Sequence, residues 1–308
     1  MKRYRQIMTV PASRPSDAPF RGIVLMCLAM VCFVTMNTVV KSMRGDLPVV
    51  ELAWGRYFFH ALLILMLFPR RIPTLLASSD KGLQILRSLL VLVATVLMFL
   101  TVGLMPIADI VAITFVAPLL IVVLSVGVLR EHVGIRRWGA VFVGFVGVVV
   151  ILRPGGSLFT LVALLPVTIA MAYAVYQILT RVVAQSADPI NTLFYSALVG
   201  AVVMSLVVPF DWVTPSAFQW IKLATVGLLG GMGHYAIIQA YQRAEVSLVA
   251  PFAYTELIWA TGLGFFAFGD LPDFWTFVGA GIIAVSGIYI VHRERLAKIA
   301  AAPATAAS

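Results

Sequence analysis

Arg56 and His60 stand four residues apart in an apolar stretch, so on a helix they share one face. A guanidinium there can hold a carboxylate or another anionic group, with the imidazole as hydrogen-bond partner. Equally, it can pack on helix-end carbonyls or snorkel to an interface. Glu256 is read as the carboxylate lying well inside an apolar stretch. Its possible roles are to take and release a proton, to pair with a cationic group such as a sulfonium or ammonium, or to form an ion pair with Arg56. His234 follows the run Gly227-Leu228-Leu229-Gly230-Gly231-Met232-Gly233, whose glycines permit close helix approach. It either bonds a neighbouring backbone or reaches a cavity, where it joins Glu256 as a candidate proton carrier.

Around these groups the sequence sets aromatic and amide side chains. Tyr173, Tyr176, Gln177 and Thr180 fall along one stripe at helical spacing. With Trp54, Tyr57, Tyr254 and Trp259 they offer faces on which a planar ring stacks, or they anchor span ends at a membrane interface. Asn37 shares a face with Lys41 and can bond across helices. Pro118 and Pro251 each remove a backbone donor and weaken a helix locally, as gating kinks or fixed bends.

The elements that must position these groups are membrane helices. Hydrophobic residues make up 61% of the 308 and charged residues 11%, against about 45–50% and about 25% in soluble domains. So few charges cannot cover a surface that faces water. Crossing the hydrocarbon core takes about 20 apolar residues. Runs of that kind cover 22–40, 50–68, 83–104, 109–129, 136–152, 159–180, 190–209, 219–240, 247–268 and 274–292. Placed on alternate sides, seventeen Lys and Arg, Arg87 among them, gather on one side and four on the other, with Arg56 inside a span. That asymmetry predicts ten spans with both termini cytoplasmic.

The net charge of +9 sits in short clusters between spans, which sets orientation rather than binding nucleic acid. Cys27 and Cys32, five apart in the first span, offer neither a disulfide nor a metal framework. No metal or cofactor motif is found, and no Walker-type loop, His-Glu-x-x-His or Gly-x-Ser-x-Gly. An enzyme has no visible catalytic constellation here, and the expectation is that the chain is not one.

The two halves resemble each other. Residues 108–153 carry Ala-Asp, Pro118, Glu131, then Trp138-Gly139-Ala140 with Gly144, Gly147 and a closing Arg153; residues 244–293 carry Ala-Glu, Pro251, Asp270, then Trp275, Gly279-Ala280, Gly287 and Arg293. Five spans per half is an odd number, so the second half inserts inverted. The expected organisation is a cytoplasmic tail at 1–21, repeats at 22–152 and 159–292, and a cytoplasmic tail at 293–308.

Ala117-Pro118 with Glu131, Arg56 in the second span and Ala250-Pro251-Phe252 in the ninth resemble the EamA repeat of the drug/metabolite transporter superfamily. The resemblance covers about 22–293. Ala250-Pro251-Phe252-Ala253-Tyr254-Thr255-Glu256-Leu257 is similar to the branch that holds S-adenosylmethionine carriers, and riboflavin carriers belong to the same wider group. Asp270 departs from the Glu more usual there.

The sequence therefore predicts an all-α integral membrane protein, ten transmembrane helices in two inverted five-helix repeats. The resemblance implies a secondary transporter in the bacterial inner membrane that moves a small-molecule substrate by alternating access. S-adenosylmethionine and riboflavin are the candidate substrates, an amino-acid or metabolite exporter the alternative, and protons a candidate coupling ion. The expected partners are the substrate and the lipid bilayer, not nucleic acid.

Overall fold

The computed structural model describes residues 18–76, 80–128, 134–153, 161–183, 188–243 and 249–301. Among them the chain is helical without strands, as an apolar chain in lipid must be to satisfy its own backbone. In chain order the helices are α1 Ala18–Lys41, α2 Val49–Leu67, α3 Lys81–Thr101, α4 Ile107–Thr114, α5 Ala117–Val128 and α6 Ile135–Leu152. The second half supplies α7 Leu164–Val183, α8 Pro189–Val207, α9 Ala217–Arg243, α10 Thr255–Phe268 and α11 Phe274–Ala301. Eight segments are long and apolar enough to cross a membrane, and two shorter apolar helices, Trp138–Leu152 and Phe252–Phe268, bring the crossings to the expected ten.

Local chemistry sets the ends. Pro48 precedes α2, and Asp188 caps α8 by accepting from the Ile190 and Asn191 amides at 2.8 and 3.4 Å, with Pro189 in the first turn. Gly269, at φ 72°, ends α10 in the left-handed conformation that favours glycine. The fourth span is not one helix: it breaks between α4 and α5 at Phe115–Val116, with Pro118 in the first turn of α5. The ninth opens with a 3₁₀ turn, Ala250–Tyr254, that holds Pro251 in its first turn, then continues as α10. Both prolines thus lie where their missing donor is tolerated. α11 runs on to Ala301, so the start of the expected 293–308 tail is helical. The expected 1–21 tail lies mostly outside the described residues, and so do Glu131 and Glu245.

The packing repeats across the halves. α1 lies along α9 and α3 along α7; α2 meets α9 as α8 meets α3; α1 meets α10 as α7 meets α4 and α5. Counterpart helices pack directly, α2 on α8 and α6 on α11. Both pairs run antiparallel. Trp54 bonds Ser205 while Tyr57, further along, packs on Gly200; Gly147 faces Ile283 while Gly279 faces Ile151. The outer surface is apolar, with Phe142, Leu206, Phe218, Phe266 and Val285 exposed where lipid would contact them.

Candidate functional site

Five helices enclose one cavity between the two halves, lined by Arg56, Tyr57 and His60 of α2, Val91 of α3, Tyr176 of α7, Leu193 and Ser196 of α8 and His234 of α9. Its open space, about 10 Å³, is room for roughly one water. The glycines of α9 make the enclosure possible. A Cβ on Gly227 would lie 3.0 Å from the His60 amide and 3.1 Å from the Arg56 carbonyl; one on Gly231 would lie 2.8 Å from the His60 ring. Only residues without a side chain let α2 and α9 come this close.

Arg56 is 6% exposed. One Nη1 hydrogen goes to Thr95 Oγ1, and Nη2 donates to His234 Nε2 at 3.3 Å. Nε has no partner, so two of the five guanidinium donors are used. Because a guanidinium only donates, His234 Nε2 accepts, and the ring carries its hydrogen on Nδ1. Tyr57 shares Thr95, its hydroxyl 2.8 Å from Oγ1, and Thr95 itself donates to the Val91 carbonyl. The His60 and His234 rings lie parallel, centroids 6.3 Å apart, and His60 Nε2 is buried without a partner. The i and i+4 pairing of Arg56 and His60 thus places both on the cavity wall, with His234 opposite.

At the edge of the cavity stands a residue that the charge asymmetry places among the cytoplasmic surface cations. Arg87 is 2% exposed. Its Nε donates to Thr180 Oγ1 at 3.0 Å, Nη1 to Gln84 Oε1 at 3.1 Å and to the Thr192 carbonyl at 2.9 Å, and Nη2 to the Tyr176 hydroxyl at 2.9 Å. The predicted stripe on α7 therefore turns inward through Tyr176 and Thr180, while Gln177 bonds Tyr173 on its own helix at 3.0 Å. Arg87 lies four residues inside the predicted third span, and that position is the sequence signal against a surface role.

The remaining candidates stand elsewhere. Glu256 makes no hydrogen bond or ion pair among the described residues and does not line the cavity. The expected pairing with Arg56 is not formed: α10 packs chiefly on α1 and α4, whereas α2 packs on α3, α8 and α9. Tyr254 packs edge-on against Phe115, ring centroids 4.9 Å apart, and covers Gly287. Trp54 bonds Ser205 at 3.0 Å and joins Phe58, Trp212 and Trp220 in an aromatic cluster. Asn37 is buried with Oδ1 unpartnered. Pro118 is exposed on α5.

Two further buried carboxylates are hard to single out from sequence because they sit at span starts. Glu51 accepts from the Val213 amide at 3.2 Å, and Asp109 accepts from Thr276 Oγ1 at 3.0 Å. Among the described residues no group of three or more His, Cys, Asp or Glu is placed to hold a metal.

Antiparallel counterpart helices, with a small cavity and a buried arginine where the two halves meet, match the plan of secondary transporters. The model of the EamA-like transporter family matches residues 20–153 and 160–292, and the chain belongs to that family. It is a membrane-embedded, multi-pass metabolite transporter. An S-adenosylmethionine uptake transporter of Rickettsia conorii is 29% identical over 276 residues, 90% of this chain and 94% of that one. A riboflavin transporter of Vibrio cholerae is 29% identical over 281 residues, again 90% and 94%. One solved crystal structure superposes with a TM-score of 0.62 at 18% identity, over 91% of this chain and 99% of that one, a likeness of fold.

Proposed function

We propose that this chain is an inner-membrane carrier, not an enzyme, that binds its cargo in the central cavity and releases it by alternating access. The observation that carries this reading is Arg56: a buried guanidinium with Nε unpartnered, on the wall of a small cavity between the two halves. A buried charge with idle donors is costly unless a ligand meets it. Tyr57, Tyr176, His60 and His234 surround it with rings and polar tips suited to a planar group with a polar tail. S-adenosylmethionine and riboflavin, which the names of the relatives supply, both have that form. Export of an amino acid or metabolite is the alternative direction. The Lys and Arg asymmetry supports both termini in the cytoplasm, with repeats at 22–152 and 159–292.

Glu256, a carboxylate in the first turn of α10 without a partner among the described residues, is the proposed proton-coupling group, with His234 the second candidate. Pro118 and Pro251 serve as hinges at the two broken spans.

Uptake of labelled S-adenosylmethionine and riboflavin into proteoliposomes tests the reading. Arg56→Ala is expected to lower kcat/KM for the transported compound about ten-fold or more, the loss of a charged hydrogen-bonding group. Arg56→Lys should retain part of it. Equal uptake by wild type and Arg56→Ala would remove the cavity from the transport path.

A further inference from the structure

The cavity bears on the charge of its cargo, an inference that rests on the reading of the cavity as the transport site. Its five enclosing helices, α2, α3, α7, α8 and α9, hold a single carboxylate, Glu51. That residue is committed to the Val213 amide at the end of α2 and does not line the cavity. Against it stand two buried guanidiniums. Arg56 is on the wall, and Arg87 stands behind Tyr176, bonded to its hydroxyl and 4.9 Å from its ring centroid.

Neither arginine forms an ion pair among the described residues. Arg87 directs four of its five donors to neutral oxygens, those of Thr180, Gln84, Thr192 and Tyr176. These satisfy hydrogen bonding without cancelling charge. Two buried cations without a carboxylate partner are expensive, and the ring faces of Tyr57, Phe99 and Tyr176 beside them offset only part of that cost.

We propose that the cargo supplies the missing negative charge: Arg56 and Arg87 form a two-point anion site that favours metabolites whose acidic groups, carboxylate or phosphate, outnumber their basic ones. Arg56 meets the acidic group directly through its idle donors. Arg87 acts from behind Tyr176 through the field it sets at that end of the cavity, so it is a specificity-determining residue rather than a scaffold. By this account a ring compound binds more tightly as its negative charge rises, whatever the ring.

The test uses probes matched in ring and different in charge, measured as ligand-induced thermal stabilisation of the purified full chain. Riboflavin is compared with riboflavin 5′-phosphate, and S-adenosylmethionine with S-adenosylhomocysteine, which lacks the sulfonium charge. The more negative member of at least one pair is expected to bind about ten-fold or more tightly, the effect of one added charge-assisted hydrogen bond for the phosphate or of one removed cation–cation repulsion for the sulfonium. Arg87→Gln should erase that preference, and Arg87→Lys, which keeps the charge, should preserve it in part. The Lys variant also separates charge from folding, since a purely structural Arg87 would lose stability in both variants and preference in neither.

Equal binding within both pairs, no stabilisation by either more negative probe, or an undiminished preference in Arg87→Gln would overturn the anion site. Binding preference without uptake of any probe would instead leave the anion site standing and remove transport of these compounds.

Discussion

The two ends of the bundle are closed by different chemistry. At the end holding the α1–α2 and α10–α11 turns, charges cross between the halves: Lys41 pairs with Asp270, and Arg153 with Asp273. Asp109 accepts from Thr276, whose amide and hydroxyl also bond Asp273. At the end where α7 stops and α8 starts, the described contacts are mostly neutral and reach backbone between α2 and α3. Asn191 donates to the Thr74 carbonyl at 2.9 Å and Tyr195 to the Leu76 carbonyl at 2.8 Å, beside one exposed ion pair, Arg71–Asp188, at 3.2 Å. Side chains of Lys41 and Asp270 are 17% and 26% exposed, those of Arg71 and Asp188 48% and 43%. Partly buried pairs are screened less than exposed ones, so the first end carries the stronger electrostatic seal.

Four experiments break or sharpen that contrast. The largest effect is expected where both ends depend on the same contact. Gly227→Ala would drive a Cβ into the backbone of α2, and overpacking of this kind costs about 1–3 kcal/mol. Thermal unfolding in detergent should show it, and an unchanged Tm would mean that α2 and α9 are not held this closely. Next comes Asp273→Asn, which removes the Arg153 pair while keeping an acceptor for Thr276. Thiol labelling of a cysteine placed at the Arg153 end should rise a few-fold, with no change at the α2–α3 end.

Glu256→Gln should flatten the pH dependence of uptake while leaving KM within about two-fold, since it does not line the cavity. A preserved pH profile would move coupling to another group. The smallest effect belongs to Arg71→Ala. Losing an exposed pair costs about 0–1 kcal/mol, so stability and uptake should stay close to wild type.

Ten spans, the repeat and its antiparallel setting are legible in the sequence because lipid imposes the span length and an odd number of spans per half inverts the second. Arg56 and His60 are legible for the same reason, as a polar pair on one helix face amid apolar residues. Which helices become neighbours is set by side-chain packing in three dimensions, and spacing along one helix does not encode it. That is why Glu256 and Arg56, both inside spans, invite pairing on paper and are apart in the fold. Arg87 is hidden because an arginine near a span end ordinarily reaches water, whereas here Thr180, Tyr176 and Thr192 from the other half draw it inward. Trp54 illustrates the opposite error. Its type suits a stacking site, and its neighbours Trp212 and Trp220, distant in sequence, gather it into an aromatic cluster outside the cavity.

The crossing of α6 and α11 at Gly147 and Gly279 puts backbone against backbone, each glycine's missing Cβ filled by the other's carbonyl. Such a contact works as an axle: helices can rotate about it with almost no displacement at the bearing and the greatest travel at the rims. Arg153 and Asp273 each lie six residues from their glycine. At 1.5 Å per residue that is about 9 Å of lever, so a turn of about 10° shifts either partner by about 1.5 Å, enough to separate the pair. Spin labels near the crossing should therefore keep their distance through the transport cycle, while labels at the helix ends should not.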